Sequence, residues 1–272
     1  MIALKRVALL SAALLIGAVQ FTFAAGDPGL EPILDGPQRS AANKARDASR
    51  HPLQELTFFG LRPNMTVVEI WPGGGGYWTE ILAPYLHDHG TYYVAQPEGD
   101  QVPDESRQGA ARFRAKIEAN PAIYAKVHLT ALWGDRYAVA PPGSADLVVT
   151  FRNLHNWMAE GAAEGALRAF YVALKPGGML GIEDHRGRTD RPQDPLAKDG
   201  YVREDYAIAL AEKAGFILAG KSEINANPKD TKDYPEGVWT LPPVLRLGDK
   251  DRAKYLAIGE SDAFTLLFMK PF

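Results

Sequence analysis

Short apolar runs alternate with amphipathic stretches along most of the chain. Thr66 to Trp71 is an apolar run with one acid, Glu69, near its end, and Pro72-Gly73-Gly74-Gly75-Gly76 follows at once. After the glycines, Trp78, Ile81, Leu82 and Tyr85 recur at i, i+3, i+4 and i+7, which predicts a helix reaching about Pro84. Further strands are expected at Thr91 to Gln96, Lys126 to Leu132, Asp146 to Phe151, Met179 to Asp184, Phe216 to Ile224 and Ala263 to Lys270. Helices are expected at Glu105 to Ala119, on the face marked by Leu167, Phe170, Tyr171 and Leu174, and at Arg203 to Ala214, where Gly215 supplies a stop. Strands and helices alternating in this way predict right-handed crossovers and an α/β fold whose mostly parallel sheet is covered on both faces.

Two stretches stand apart from the alternation. Between Gln38 and Gly60 the apolar spacing is helical but His51-Pro52 interrupts it, which predicts two short helices. Residues 225–262 carry several prolines, many charges and the aromatic residues Tyr234 and Trp239, with a helical pattern only near Asp251 to Ile258. A connection of that length is either a surface excursion packed by its own aromatics or a lid over a ligand site.

The first residues bear on compartment. Lys5 and Arg6 precede an almost uninterrupted apolar run from Val7 to Val19, and Thr22-Phe23-Ala24 places small residues where a signal peptidase reads. The expectation is a signal peptide, residues 1–24, cut near Ala24, and an exported, periplasmic protein whose membrane contact is confined to that segment. The rest, residues 25–272, is expected to form one domain, since 272 residues is near the upper limit for a single core.

Composition removes several function classes. A net charge of -3 with no long basic run argues against a nucleic-acid partner. The absence of cysteine excludes disulfides, thiolate metal sites and a cysteine nucleophile. Neither a Gly-x-Ser-x-Gly elbow nor a His-Glu-x-x-His pair is present, so nothing supports a hydrolase.

The candidate chemistry sits at the turns. A glycine-rich turn between a first strand and an amphipathic helix lets a ligand approach the backbone, and the helix's free N–H groups can meet a polar or anionic group. Leu174-Lys175-Pro176-Gly177-Gly178 reads as a helix stop and tight turn. Glu183-Asp184-His185 contains metal-ligating types, but neighbouring strand residues point to opposite faces, so the three are not expected to converge and no metal is expected.

Taken together, Glu69-Ile70-Trp71-Pro72-Gly73-Gly74-Gly75, then Asp146-Leu147-Val148-Val149, then Leu174-Lys175-Pro176-Gly177-Gly178 and a final strand resemble the class I S-adenosylmethionine-dependent methyltransferases. More narrowly, Arg152-Asn153-Leu154-His155-Asn156-Trp157 is similar to a motif of a bacterial group of exported methyltransferases. The resemblance covers nearly all of the chain after the signal segment. It implies a Rossmann-like, doubly wound, seven-stranded sheet with an antiparallel last strand, S-adenosylmethionine as cofactor, and a small-molecule or exported acceptor.

Carried over by position, the resemblance implies that Gly73 and Gly75 approach the methionine part of the cofactor while Glu69 braces the turn. It places Gln96 at the ribose hydroxyls, Asp135 near the adenine amine, and Asn153 and His155 at the mouth between cofactor and acceptor. His155 and Asn156 are the candidate catalytic residues, and His185 is a second candidate base. Trp71 stands where the family's turn opens with glycine. Gln96 stands where the family has an acid, with one acceptor oxygen in place of two, and Glu98 is a nearby substitute. These two departures define the rival expectation, a ligand-binding protein that keeps the fold without the chemistry.

Overall fold

Each apolar run expected as a strand is one: β1 (Thr66–Ile70), β2 (Thr91–Gln96), β3 (Val127–Ala131), β4 (Ala145–Phe151), β5 (Leu174–His185), β6 (Ile217–Ser222) and β7 (Ala263–Met269). The computed structural model describes residues 27–134 and 136–272. The expected signal segment cut near Ala24 and Asp135, the expected adenine contact, lie outside the described residues.

The strands form one sheet in the order β3-β2-β1-β4-β5-β7-β6. β1 pairs in parallel with β2 and β4, as do β2 with β3 and β4 with β5, while β7 runs antiparallel to both β5 and β6. The chain therefore winds outward in both directions from β1 and β4. Crossovers leave from opposite faces at such a reversal, which opens a crevice at the carboxyl ends of these two strands.

Helices fill both faces. They are α1 (Leu30–Asp35), α2 (Ala41–Lys44), α3 (Asp47–Arg50), α4 (Pro52–Phe58), α5 (Thr79–Leu86), α6 (Asp104–Glu118), α7 (Pro121–Tyr124), α8 (Leu154–Ala159), α9 (Ala163–Ala173), α10 (Glu204–Lys213) and α11 (Arg252–Ile258). Strand alternation sorts the side chains: Val68 and Ile70 join Trp157, Leu167 and Phe170 in one core, and Val67 joins Leu56, Ile81, Leu82 and Phe113 in the other. Glu69 shares the face of Val67, so an acid is buried inside the second core at 1% exposure. No described helix is long and apolar enough to cross a membrane.

The structure corrects the sequence expectations at several places. Residues 38–60 hold three short helices, not two, because the chain turns at Arg46 as well as at His51. His51 has a left-handed φ of 41°, and Pro52 then starts α4 at its first position, where a backbone N–H would have no intrahelical partner anyway. Lys175 to Gly178 is not a free turn but the first part of β5. Leu174 pairs with Ala145, and Gly177 donates its N–H to Lys270 at 2.8 Å, so the segment is stitched between two neighbours. Finally α8, just after β4, carries no periodic signal because six residues are too few to show one.

Candidate active site

The glycine turn leaves β1 through Trp71, whose φ of 51° is left-handed, and continues through Gly73 at 66° and Gly76 at 57°. A side chain at Gly76 would meet the Phe113 ring at 3.2 Å as well as the backbone strain. Asn153 fixes the turn from the next strand by donating from Nδ2 to the carbonyls of Ile70 at 3.0 Å and Trp71 at 3.3 Å. Below it, Glu69 accepts from Thr79 Oγ1 of α5 at 2.6 Å and from the Tyr92 hydroxyl of β2. The carboxylate thus ties strand to helix across the turn. Burial raises its pKa to about 7, an effect the two hydroxyl donors partly offset.

A cleft of about 530 Å³ opens above the carboxyl ends of β1, β2 and β4. Gly73, Gln96, Asn153, His155, Asn156 and the second candidate base His185 all line it, so six of the expected residues converge. Gly75 and Glu69 do not. Gly74 lines the cleft in place of Gly75, whose carbonyl turns toward Asn43 Nδ2 at 3.3 Å and Lys116 Nζ at 2.9 Å. Glu98 is held outside by Arg114 and Arg136, at 3.1 and 3.4 Å.

Gln96 is 1% exposed, and neither its amide nitrogen nor its carbonyl oxygen has a partner among the described residues. A buried amide left unpaired costs about 1–3 kcal/mol, so this one is poised for a ligand's polar groups. Trp71 turns its ring away from the turn. Its indole N–H donates to the Leu132 carbonyl at 3.0 Å, its ring stacks on Trp133 at 5.4 Å, and Trp157 meets it edge-on at 5.6 Å. This cluster also lines a second cavity of about 290 Å³ between Gly134 and α8.

The far end of the cleft is built from α8, the end of β5 and the residues just before β7. His155 Nδ1 bonds Asp184 Oδ1 at 2.9 Å, and the His155 backbone N–H donates to Asp184 Oδ2 at 2.9 Å. His185 Nδ1 bonds Ser261 Oγ at 2.5 Å, and the two imidazole rings lie 5.0 Å apart. Burial, reinforced by the nearby charges of Arg152 and Arg50, pushes the His185 pKa well below its usual value and keeps the ring neutral. Trp239, from the irregular connection, meets the His155 ring edge-on at 6.0 Å.

Behind the histidines lies a buried charge network. Arg152, with a left-handed φ of 60°, donates from Nε to Glu183 Oε1 at 2.8 Å and from Nη1 to Glu260. Glu260 also accepts from Arg46 at 2.7 Å and Arg50 at 3.2 Å. Burial and repulsion from Arg152 lower the pKa of Arg50 to about 10, while burial of Glu260 is outweighed by these arginines, which draw its pKa down to about 2. Asp184, Ser261, Arg50 and Trp239 were not assigned site roles from sequence. Arg50 and Trp239 line the cleft, and Asp184 and Ser261 stand behind its two histidines, all through long-range contacts that no local pattern encodes.

The strand order, the antiparallel β7 and the crevice at the β1–β4 switch make this the Rossmann-like fold of the S-adenosylmethionine-dependent methyltransferases. A SAM-dependent methyltransferase from Aquifex aeolicus superposes on 90% of this chain and 98% of its own, with a TM-score of 0.55 and 18% identity. The cyclase SpnF superposes on 90% of this chain and 92% of its own, with a TM-score of 0.56 and 13% identity. Identities this low establish the shared fold, and SpnF is a reminder that the fold hosts more than one chemistry. No protein-family model and no curated protein matches the chain.

Proposed function

We propose that this chain is an S-adenosylmethionine-dependent methyltransferase, exported by its N-terminal segment and acting on an acceptor in the cell envelope. The observation that carries the reading is Gln96: a buried, unpartnered amide at the end of β2, beside a glycine turn that leaves the backbone open. The ribose hydroxyls of the cofactor would pair with this amide, and its methionine part would lie against Gly73 and Gly74. Asn153 and Glu69 hold the turn in shape from beneath.

When bound, the cofactor supplies a methyl group on a sulfonium, and its transfer needs mainly alignment and exclusion of water. The acceptor would enter at the end of the cleft lined by His155, Asn156 and His185. Trp239, Pro242 and Pro243 line the same end, which gives residues 225–262 the role of a lid.

A second reading has its own observation. Trp71 packs between the larger cleft and the cavity beside α8, where the family's turn has no side chain. On that reading the protein binds a smaller ligand without methyl transfer. Calorimetry with S-adenosylhomocysteine separates the two. The methyltransferase reading expects Gln96→Leu to weaken binding about tenfold and Gln96→Glu to strengthen it about tenfold, since a charge-assisted bond contributes roughly 1.5–3 kcal/mol and a neutral one about 1. Equal affinities for all three proteins would remove Gln96 from the site.

A further inference from the structure

We propose that His155 and His185 hold a divalent first-row transition metal ion at the acceptor end of the cleft. One ring nitrogen from each and a carboxylate oxygen of Asp184 lie within 4.8 Å of one another, and all three residues are buried. Two ligand atoms bound to one ion at about 2.1 Å can be no more than about 4.2 Å apart, so the separation here is close to what one ion needs.

The hydrogen bonds around the rings point the same way. His155 has its Nδ1 on Asp184, and His185 has its Nδ1 on Ser261. With the proton on Nδ1 in both rings, each Nε2 keeps a free lone pair. A histidine that ligates a metal characteristically gives its other N–H to a carboxylate or similar oxygen, which fixes the tautomer and the direction of the ring. Here both histidines have such a partner, and both line the cleft.

The nearby cations do not forbid an ion. Arg152 is paired with Glu183 and Glu260, Arg50 is paired with Glu260, and Asp184 adds a negative charge within reach of the site. Strand alternation, which argues against three ligands from Glu183-Asp184-His185, is respected. Glu183 turns to Arg152, and the additional histidine comes from α8. Imidazole ligands suit zinc, cobalt, nickel, copper and iron better than magnesium or calcium.

Two protein ligands leave coordination positions open toward the cleft. The use of those positions rests on the methyltransferase reading, whereas the metal site does not. An acceptor hydroxyl bound to the ion would lose its proton to water, and the oxygen lone pair would then form the O–CH3 bond. The breaking C–S bond would leave its electron pair on sulfur, giving S-adenosylhomocysteine.

The test is a titration of the purified, metal-stripped full chain with cobalt(II) chloride, followed by visible absorption and by metal analysis after gel filtration. One cobalt per chain is expected, with visible bands that shift on binding. His155→Gln and His185→Gln should each abolish binding, and Asp184→Asn should weaken it 10–100-fold. If a histidine variant does not fold by circular dichroism, Ser261→Ala, which frees His185 Nδ1, must still lower the affinity. No stoichiometric cobalt on the wild type, or wild-type affinity in either folded histidine variant or in Ser261→Ala, would overturn the proposal. S-adenosylhomocysteine titrated into the same wild-type sample keeps the two readings apart. Cobalt binding without nucleoside binding retains the metal site and removes the methyltransferase, and the reverse does the opposite.

Discussion

Replacing Arg152 with methionine is expected to lower folding stability by about 3–5 kcal/mol, because it strands buried charge. Glu183 is 0% exposed and, among the described residues, takes its ion pair from Arg152 alone, while Glu260 loses one of three arginines. Glu183 also has a carboxyl neighbour in Glu55, whose pKa is raised well above the usual range by burial and by the Glu183 charge. Without Arg152 the two carboxyl groups would share a site with too little positive charge. The left-handed backbone at residue 152 is equally unfavourable to methionine and arginine, so strain does not confuse the comparison. Urea unfolding at neutral pH measures the loss. A change below about 1 kcal/mol would mean that the network contributes no more than a surface ion pair.

The second large effect is a pH dependence seated at Glu69. Its pKa is raised from 4.5 to about 7 in the folded protein, with burial as the leading cause. A carboxyl group whose folded pKa is raised adds stability below the unfolded value, and that contribution is lost as pH rises through the folded value. Here the window runs from 4.5 to about 7, a span worth about 3 kcal/mol at roughly 1.4 kcal/mol per pKa unit. Oε1 of Glu69 has no partner among the described residues and is the natural seat of the proton. Glu69→Gln keeps an acceptor for Thr79 and Tyr92 and cannot ionise. Denaturant titrations from pH 4.5 to 8 should therefore show the wild type losing about 3 kcal/mol relative to the variant as pH rises. Parallel curves for the two proteins would place the titration elsewhere.

The sheet was legible because its signals are local. β1 through β7 are short apolar runs bounded by Gly, Pro or charged residues, and each boundary fell within a few residues of its expected place, with the exception of the start of β5. There, Lys175-Pro176-Gly177-Gly178 carries every mark of a turn. Its extended form depends on hydrogen bonds to Lys270, about a hundred residues away in sequence. The antiparallel β7 came from resemblance, since nothing in an apolar run reveals its direction.

The candidate site was legible as a place where backbone geometry dictates it and obscure where side chains decide. Gly73, Gln96, Asn153, His155 and Asn156 follow strand ends at the β1–β4 switch, and the fold brings those ends together whatever else the chain does. Gly75 was misplaced because a run of four glycines hides which of them faces the ligand. Only the contacts to Asn43 and Lys116 show that Gly75 turns away. Asp184 could not be matched to His155, nor Ser261 to His185, because those pairings depend on how α8 and the segment before β7 close over β5.

The most direct test of the central claim is a crystal structure of the purified chain grown with S-adenosylhomocysteine. The account predicts the nucleoside in the cleft, its ribose hydroxyls on the Gln96 amide and its homocysteine part against Gly73 and Gly74. A nucleoside bound away from Gln96, or a cleft that stays empty at saturating nucleoside, would contradict it.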